Sequence, residues 1–255
     1  MVKKTNLLAE ERREQMIRLV NSSGSMRAAE LADYFGVSGE TIRKDLALLN
    51  GQGLLKKSFG GAVSLAGAQE IPVSMRAREH SGSKAKIAMR AAEFLSGQMV
   101  VYIDAGSTAL EFAKLVPDGD LVVVTSSVAV LNQLAGSGVT VYFTGGEFSS
   151  VTMSVNGLWT KQSISSVAFD LAVLGSSGFE AHTGPGVKLF SDAQTKKEVL
   201  RHAKTKLVLA DSSKFTKAAI VQYAQWAEID ALITDSGAPG DWVRAHRDTL
   251  EIITV

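Results

Sequence analysis

The chain has 255 residues, of which 45% are hydrophobic and 21% are charged, and its formal net charge is +1. This length is sufficient for one large domain, or for a small domain beside a medium one, and the composition is typical of a globular protein. The sequence has no cysteine and no run near the roughly 20 apolar residues that a membrane span needs, so we expect no disulfides, no thiolate metal site, and a cytoplasmic protein that does not associate with membranes.

The charge is unevenly distributed along the chain. Residues 1–63 contain ten Lys or Arg against seven Asp or Glu, a balance of +3, whereas residues 64–255 contain seventeen against nineteen, a balance of −2. A surplus of three is a mild signal, because ordinary solvated helices often carry one. It is compatible with a polyanionic partner for the N-terminal segment.

Three short helical patterns follow one another near the N-terminus. Residues 10–21 place apolar side chains at mostly helical spacing, and Ser25 can cap a second helix that ends before Gly36. Gly36 suits the positive φ that follows a helix, and Ser38 can cap a third helix. This succession of helix, short turn and helix is the arrangement that a DNA-recognition helix requires. The exposed face of the third helix would carry Glu40, Thr41, Arg43 and Lys44.

Residues 54–63 are typical of a β-hairpin with a glycine tip, and we interpret this hairpin as a wing beside the helices. Lys56 and Lys57 would meet phosphates as point charges, whereas the planar guanidinium of Arg43 suits a guanine edge or a bidentate phosphate contact. A helix-turn-helix pattern of hydrophobic residues also occurs in small helical domains that bind no DNA, so the pattern alone leaves both interpretations open.

The run at residues 37–49, Val-Ser-Gly-Glu-Thr-Ile-Arg-Lys-Asp-Leu-Ala-Leu-Leu, followed by Gly-Gly-Ala at 60–62, closely resembles the DNA-binding domain of DeoR-type repressors. In that family the first run forms the recognition helix and the Gly-Gly-Ala sequence ends the wing. The resemblance implies that residues 1–63 are a winged helix-turn-helix domain and that its partner is double-stranded operator DNA. The residues expected to contact DNA are Ser38, Thr41, Arg43, Lys44, Lys56 and Lys57.

Residues 64–83 have poor periodicity and contain Gly67, Pro72 and Gly82, so we expect a linker there. In residues 84–255 short apolar strands alternate with amphipathic helices. Continuous Val, Ile and Leu runs of this kind predict a Rossmann-like, mostly parallel α/β domain with helices on both faces of the sheet. The predicted strands are 99–103, 121–124, 139–143, 171–174, 206–210, 231–233 and 251–255.

Small polar residues follow five of these strands. Because the carboxyl ends of parallel strands meet at one edge of a sheet, where open α/β folds bind ligands, we expect these residues to line a common site. Hydroxyl groups and glycine amides at the start of a helix favour phosphate. Each segment alone is weak evidence, since such residues usually cap helices or form turns. The five segments are residues 104–108, 125–127, 144–146, 175–178 and 211–214.

These segments resemble the effector domain that accompanies DeoR-type winged helices, which shares its fold with ribose-5-phosphate isomerase and glucosamine-6-phosphate deaminase. The family's Asp-x-Gly-Thr-Thr, Thr-Asn-Ser, Gly-Gly and Asp-Ser-Ser-Lys patterns correspond to residues 104–108, 125–127, 145–146 and 211–214. Two departures concern the ligand. Ser126 replaces an Asn, and Asp192 replaces the Glu of a Glu-Ala-x-x-Lys pattern that ends here at Lys196. The resemblance implies a phosphorylated sugar effector and a homodimer or homotetramer.

We expect Ser107, Thr108 and Lys214 to hold the phosphate of this effector. No cofactor is expected, and the four histidines lack the spacing of a metal site. The tryptophans at 159, 226 and 242 fall in predicted helices and are expected in the core or at a subunit interface. The full set of expected effector-binding residues is Asp104, Gly106, Ser107, Thr108, Thr125, Ser126, Ser127, Gly145, Gly146, Asp192, Lys196 and Lys214.

The main alternative is a phosphosugar isomerase or deaminase with an accessory winged helix. The acidic cluster that serves ribose-5-phosphate isomerases is replaced here by Gly-Ser-Ser-Gly at 175–178, which has no titratable group. We therefore expect a transcriptional regulator, a repressor of genes for carbohydrate use, without catalytic activity; His182 is expected to be a solvent-exposed turn residue. The acids and bases that an enzyme could use are Asp104, Glu180, His182, Asp192 and Lys196.

Overall fold

The structure is a computed structural model that describes residues 7–52, 54–64 and 72–255. The chain divides into two compact units, the second of which begins at Pro72. None of the helices in the described part of the chain is long and apolar enough to cross a bilayer.

The smaller unit contains three helices and a small antiparallel sheet in which β3 lies between β1 and β2. The helices bury their apolar faces, and Met16, Leu31, Phe35, Ile42 and Leu46 are almost completely buried. The helix-turn-helix and the wing are therefore both present as predicted. The elements are α1 (Ala9–Ser23), β1 (Ser25–Arg27), α2 (Ala28–Phe35), α3 (Gly39–Gly51), β2 (Lys56–Ser58) and β3 (Gly61–Val63).

The turn between α2 and α3 has the predicted geometry. Gly36 is left-handed, with a φ of 65°, and its N–H donates to the carbonyl of Ala32. The side chain of Ser38 accepts the N–H of Thr41 at 3.2 Å and so caps α3. An N-cap of this kind satisfies one of the backbone donors that the first turn of a helix leaves without an intrahelical partner.

The prediction that Ser25 caps the second helix is wrong. Ser25 belongs to β1, which pairs with β3, and α2 begins three residues later at Ala28. Its start is stabilised by Glu30, whose carboxylate accepts the N–H of Arg27 at 2.8 Å. The partner strand of β1 lies at Gly61–Val63, so the local sequence carries no signal for the pairing.

The larger unit begins with two helices and continues as an alternation of strands and helices. The first part consists of α4 (Val73–Arg78), α5 (Ser81–Ala92), β4 (Val100–Ile103), α6 (Ser107–Ala113), β5 (Val122–Thr125), α7 (Val128–Leu134), β6 (Thr140–Phe143), β7 (Glu147–Ser149), β8 (Ser154–Asn156) and α8 (Leu158–Ser165). The second part consists of β9 (Phe169–Gly175), β10 (Gly186–Val187), α9 (Phe190–His202), β11 (Ala203–Leu209), β12 (Val221–Gln222), β13 (Ala231–Thr234), α10 (Gly240–His246) and β14 (Glu251–Thr254), with 3-10 turns at Ser212–Lys214 and Trp226–Glu228.

Seven strands form one parallel sheet in the order β14-β13-β11-β9-β4-β5-β6. They are the seven predicted strands, and the predicted parallel α/β architecture is confirmed. After β4 the chain adds β5 and β6 on one side of β4. It then returns to place β9 on the other side of β4, and β11, β13 and β14 continue the sheet from there. The order thus reverses between β4 and β9, and open α/β sheets bind ligands at the carboxyl ends of the strands beside such a reversal.

Both faces of this sheet are covered, as a parallel sheet requires. Residues alternate between the faces along each strand: Tyr102 and Leu174 pack with Val199 of α9 on one side, whereas Ile103 packs with Ile87 of α5 and Phe112 of α6 on the other. The cores fix the strand ends and therefore the loops that follow them.

Residues 72–83, which we expected in the linker, are part of the larger unit. The N–H of Val73 donates to the carbonyl of Val151 at 3.1 Å, and Val73 and Met75 are buried. The two helices at this point are short, and α5 begins at Ser81, inside the segment expected to be a linker. A six-residue helix such as α4 is too short for its apolar periodicity to stand out in the sequence. The rest of the predicted linker, residues 65–71, lies outside the described residues.

Candidate functional sites

The exposed face of α3 carries two cations in the positions that were predicted. Arg43 and Lys44 lie in the second turn of α3, with nitrogen to oxygen distances of 3.3 Å and 3.9 Å from the carboxylate of Glu40. All three side chains are well exposed, and exposed pairs of this kind contribute little to stability. Both cations can therefore exchange this carboxylate for a phosphate or a base edge at low cost.

Ser38 and Thr41 have a structural role in addition to the predicted one. Their hydroxyl oxygens lie 2.9 Å apart, and Ser38 also caps the helix. In the wing, Lys56 and Lys57 are exposed. The backbone N–H of Lys57 donates to the side-chain oxygen of Asn50 at 2.8 Å, which ties the wing to the end of α3.

An ion pair that the sequence patterns did not indicate holds α3 against α1. The carboxylate of Asp45 is mostly buried and lies 2.8 Å from Nε of Arg12 and 3.3 Å from Nε of Arg13. These contacts fix the rotation of α3 about its own axis and so determine which side chains its exposed face presents. No local pattern could reveal them, because Asp45 and the two arginines are on different helices.

In the larger unit, Asp104 and Lys196 form a buried ion pair at the reversal of strand order. Asp104 follows β4 and Lys196 lies on α9, and each is 2% exposed. Oδ2 of Asp104 accepts a hydrogen bond from Nζ of Lys196 and another, at 2.8 Å, from the N–H of Gly175 at the end of β9. Asp192, one turn earlier on α9, has Oδ1 at 3.6 Å from the same Nζ. The structure thus brings three predicted effector residues together.

Two buried tyrosines complete this cluster, and sequence patterns missed both. The hydroxyl of Tyr223 donates to the carbonyl of Gly175 at 3.0 Å, and Nζ of Lys196 lies 5.5 Å from the centre of its ring. Burial, followed by the nearby charge of Asp104, raises the pKa of Tyr223 well above its ordinary value. The hydroxyl of Tyr102 lies 3.0 Å from that of Ser126, and burial raises the pKa of Tyr102 as well. Both tyrosines therefore stay protonated at neutral pH.

The hydroxyl-bearing residues after β4 and β5 divide into two groups. Thr125 donates its hydroxyl to the carbonyl of Ile103 at 2.7 Å, and Ser127 accepts the N–H of Val130 at 3.2 Å, so both side chains hold their own loops. Ser107 and Thr108 are also buried, but no hydrogen bond joins either hydroxyl to another residue in the part of the chain that the structure describes. Among the predicted hydroxyl-bearing residues after these two strands, Ser107 and Thr108 are therefore the ones whose hydroxyls remain available to a ligand.

The glycines after β6 are explained by packing. Gly145 and Gly146 have φ values of 69° and 130°. A Cβ atom at Gly146 would lie 2.2 Å from Oγ1 of Thr160 and 2.5 Å from the carbonyl oxygen of Asn156. Thr160 in turn donates to the carbonyl of Gly145 at 2.6 Å. Gly146 therefore lets α8 approach this loop closely, whereas Gly145 supplies a left-handed backbone with open space beside it.

Lys214 lies in a second group of charges, at the end of β11. Its Nζ is 4.0 Å from Oδ2 of the fully buried Asp211, an oxygen with no hydrogen-bond partner among the described residues. Burial lowers the pKa of Lys214 to about 8. Among the described residues, no hydrogen bond or ion pair joins Lys214 to Ser107 or Thr108.

Lys84 is the residue that sequence patterns most clearly missed. It is 2% exposed, and its Nζ donates to the backbone carbonyls of Arg76 and Glu79. Burial lowers the pKa of Lys84, and the charge of Asp211 opposes that shift. The carboxylate of Asp211 therefore interacts electrostatically with both Lys84 and Lys214. In the sequence Lys84 looks like an ordinary surface lysine at the start of a helix.

The remaining candidate acids and bases of the enzyme hypothesis lie elsewhere. His182 is half buried rather than solvent-exposed, and its Nε2 lies 2.8 Å from the carbonyl oxygen of Ala219. Glu180 is exposed and pairs through its backbone with Lys217. Neither contacts Asp104 in the described structure. The described residues also include no group of three His, Asp or Glu placed to hold a metal ion.

Comparison with known proteins assigns a family to each unit. Residues 12–67 match the DeoR-like helix-turn-helix domain, and residues 79–236 match the DeoR C terminal sensor domain. The uncharacterized HTH-type transcriptional regulator YulB of Bacillus subtilis is 32% identical over 95% of this chain and 95% of its own length. The L-fucose operon activator of Haemophilus influenzae is 31% identical over 96% and 98%, and the glycerol-3-phosphate regulon repressor of Escherichia coli is 29% identical over 90% and 92%.

Among solved structures, ribose 5-phosphate isomerase A from Methanocaldococcus jannaschii covers 55% of this chain and 56% of its own, with 18% identity and a TM-score of 0.41.

The buried pair gives the first prediction. Asp104→Asn leaves the buried Lys196 cation with only the more distant carboxylate of Asp192, at 3.6 Å, so we expect the free energy of unfolding to fall by about 3–5 kcal/mol. The double variant Asp104→Asn with Lys196→Met should recover part of that loss. Urea denaturation followed by circular dichroism measures both. Lys204→Met is the matched control, because its 2.7 Å pair with Asp170 is exposed and should contribute less than about 1 kcal/mol. Equal losses in Asp104→Asn and the control would contradict the account.

Proposed function

We propose, on the premise that this chain belongs to the DeoR family of transcriptional regulators, that it represses genes of carbohydrate use and leaves its operator when a phosphorylated sugar binds the larger unit. The observation that carries the ligand assignment is the buried Asp104–Lys196 pair with Asp192 beside it, at the reversal of strand order. Two carboxylates accept hydrogen bonds from sugar hydroxyls, and the ammonium group between them donates one.

For the phosphate, we propose the hydroxyls of Ser107 and Thr108 together with Lys214. The two hydroxyls have no partner among the described residues, and Lys214 supplies a full charge that Asp211 neutralises only from 4.0 Å. Charge-assisted hydrogen bonds of this kind are about twice as strong as neutral ones. A relative named a glycerol-3-phosphate regulon repressor supports a phosphorylated effector.

The same cluster supports sensing rather than turnover. An isomerase needs a base that is free to accept a carbon-bound proton within hydrogen-bond reach. Asp104 is instead committed to Lys196 and to the N–H of Gly175, and residues 175–178 carry no acid. Asp104 can therefore accept a hydrogen bond from a sugar hydroxyl, but it is not free to take up a carbon-bound proton.

For DNA, we propose that Arg43 reads a base edge in the major groove and that Lys57 in the wing binds a phosphate. Arg43→Ala should then weaken binding to the operator by about 1–3 kcal/mol and relax its preference for that sequence. Lys57→Ala should weaken binding to all sequences alike and reduce the slope of log K against log salt by roughly one.

Fluorescence anisotropy with an operator selected by the wild-type protein and with an unrelated duplex measures these effects. Lys114→Ala, which removes an exposed lysine of the larger unit, is the control and should change neither. Operator affinity that survives Arg43→Ala in a folded protein would remove Arg43 from the interface.

The lowered pKa of Lys214 gives a pH dependence for ligand binding. Lys214 titrates at about pH 8 in the free protein, so raising the pH through this value removes the charge that the phosphate needs. We expect the affinity for a sugar phosphate to fall about tenfold from about pH 7 to about pH 9, and that for the unphosphorylated sugar to stay constant.

Isothermal titration calorimetry at each pH tests this, with sugar phosphates and their unphosphorylated counterparts as paired ligands. Lys214→Arg keeps its charge throughout the range and should abolish the pH dependence. A sugar that binds as tightly without its phosphate would refute the phosphate site. Because one relative is named an operon activator, whether the ligand weakens or strengthens operator binding is measured separately.

We also propose that the chain forms a homodimer or homotetramer through the larger unit. Helix-turn-helix proteins read two half-sites as dimers, and exposed apolar surface is typical of subunit interfaces. Trp159 of α8 and Phe190 of α9 are 71% and 68% exposed, and these two helices pack together. By contrast, Trp226 and Trp242 pack into an aromatic cluster with Phe179, as expected of core residues.

The double variant Trp159→Lys with Phe190→Lys should lower the molar mass seen by light scattering to that of a single chain, because two charges in an apolar interface are left without partners. Met89→Lys, at another exposed apolar position, is the control and should leave the mass unchanged. An unaltered assembly in the double variant would place the interface elsewhere.

A further inference from the structure

Phe59 stands at the tip of the wing with a fully exposed side chain, at 111% of its reference area. A single exposed apolar residue is ordinary on a protein surface. The position of Phe59 is what distinguishes it, since it lies in the turn that joins the two wing strands, two residues after Lys57. It is the most exposed of the large apolar side chains in the described residues.

The tip that carries Phe59 is anchored by three features. Ser58 pairs with Gly61 across a two-residue turn, in which Gly60 has a φ of 84°. The carbonyl of Gly60 accepts the N–H of Ala28 at 2.8 Å. A Cβ atom at Gly61 would lie 2.3 Å from the carbonyl oxygen of Met26, so β3 and β1 pack closely at this point. The ring is therefore projected from a fixed backbone, and little conformational entropy is lost when it finds a partner.

The base of the wing is fixed to the recognition helix. The backbone N–H of Lys57 donates a hydrogen bond to the side chain of Asn50, and the N–H of Leu54 donates to the carbonyl of Leu49 at 2.8 Å. When α3 lies in a major groove, the wing beside it crosses the adjacent sugar-phosphate backbone. The exposed ammonium groups of Lys56 and Lys57 match those phosphates in charge, and the groove beyond that backbone is a minor groove.

We propose that Phe59 enters this minor groove and wedges against a base step, bending the operator toward the major groove. The proposal rests on the proposed DNA-binding function and adds a contact that neither the basic residues nor the recognition helix supplies. Minor-groove proteins insert Phe, Leu, Ile, Met or Pro in this way and kink the duplex by about 20–90°. Pyrimidine–purine steps unstack most easily, so the operator should carry one opposite the wing.

The experiment compares Phe59→Ala and Phe59→Leu with wild type in the full chain, on an operator duplex selected by the wild-type protein. Met89→Ala is the control for loss of an exposed apolar side chain. Anisotropy gives affinity and its salt dependence, and energy transfer between dyes at the duplex ends gives the bend. A 2-aminopurine base placed at successive steps reports unstacking. We expect Phe59→Ala to lower affinity about tenfold, to straighten the duplex and to abolish the 2-aminopurine signal.

The salt slope should be unchanged in Phe59→Ala, because no charge is removed, whereas Phe59→Leu should retain most of the bend, since leucine also serves as a wedge. Wild-type affinity and bend in Phe59→Ala would overturn the wedge. So would a change in light-scattering mass or melting temperature with no change in bend, which would assign Phe59 to a protein contact. Failure of the proposed function is distinct from either result, because then the wild-type protein itself would select no duplex.

Discussion

The larger unit is arranged around one contact, between the carboxylate of Asp104 and the ammonium group of Lys196. Moving two charges out of water costs several kcal/mol per ion, and only close pairing with further hydrogen bonds offsets that cost. The fold supplies both. β4 delivers Asp104, β9 supplies the N–H of Gly175, and α9 brings Lys196 across the edge of the sheet. A ligand that enters between Asp104, Asp192 and Lys196 must compete for hydrogen bonds that also hold α9 in place.

This competition gives the ligand a route to the rest of the unit. On α9, the hydroxyl of Thr195 donates to the side-chain oxygen of Asn156 in β8 at 3.0 Å. The segment just before β8 contains Val151, whose carbonyl accepts the N–H of Val73 at the start of α4. A set of contacts thus runs from the proposed ligand site to the first helix after Pro72. These contacts connect the two regions in space. Whether ligand binding and DNA binding are coupled is a question of free energy, which binding measurements answer.

Sequence patterns identified much of the fold because its signals are local. Each of the seven sheet strands is a short apolar run with its own turn residues, and Gly36 and Ser38 act through neighbours only two to four residues away. Asp192 and Lys196 were found through the spacing of a family motif. The misses all depend on distant partners. The hydrogen bond of Lys196 to Asp104 spans 92 residues, and Tyr223 and Gly175 are separated by 48. Ser25 has the local pattern of a helix cap, but its place in β1 depends on a partner strand that follows two helices later. Lys84 is held by the backbone carbonyls of Arg76 and Glu79, which precede its own helix, so no helical pattern can show its burial.

The account depends on linkage between ligand and DNA, and a reciprocal binding measurement tests that most directly. Calorimetry with the full chain gives the affinity for its tightest-binding sugar phosphate with and without saturating operator, and anisotropy gives the affinity for operator with and without saturating ligand. The account predicts that each ligand weakens the other by the same factor, in the range of about 5–150-fold, and that the sugar phosphate is recovered unchanged. Affinities that are independent of one another, or conversion of the ligand to an isomer, would contradict it.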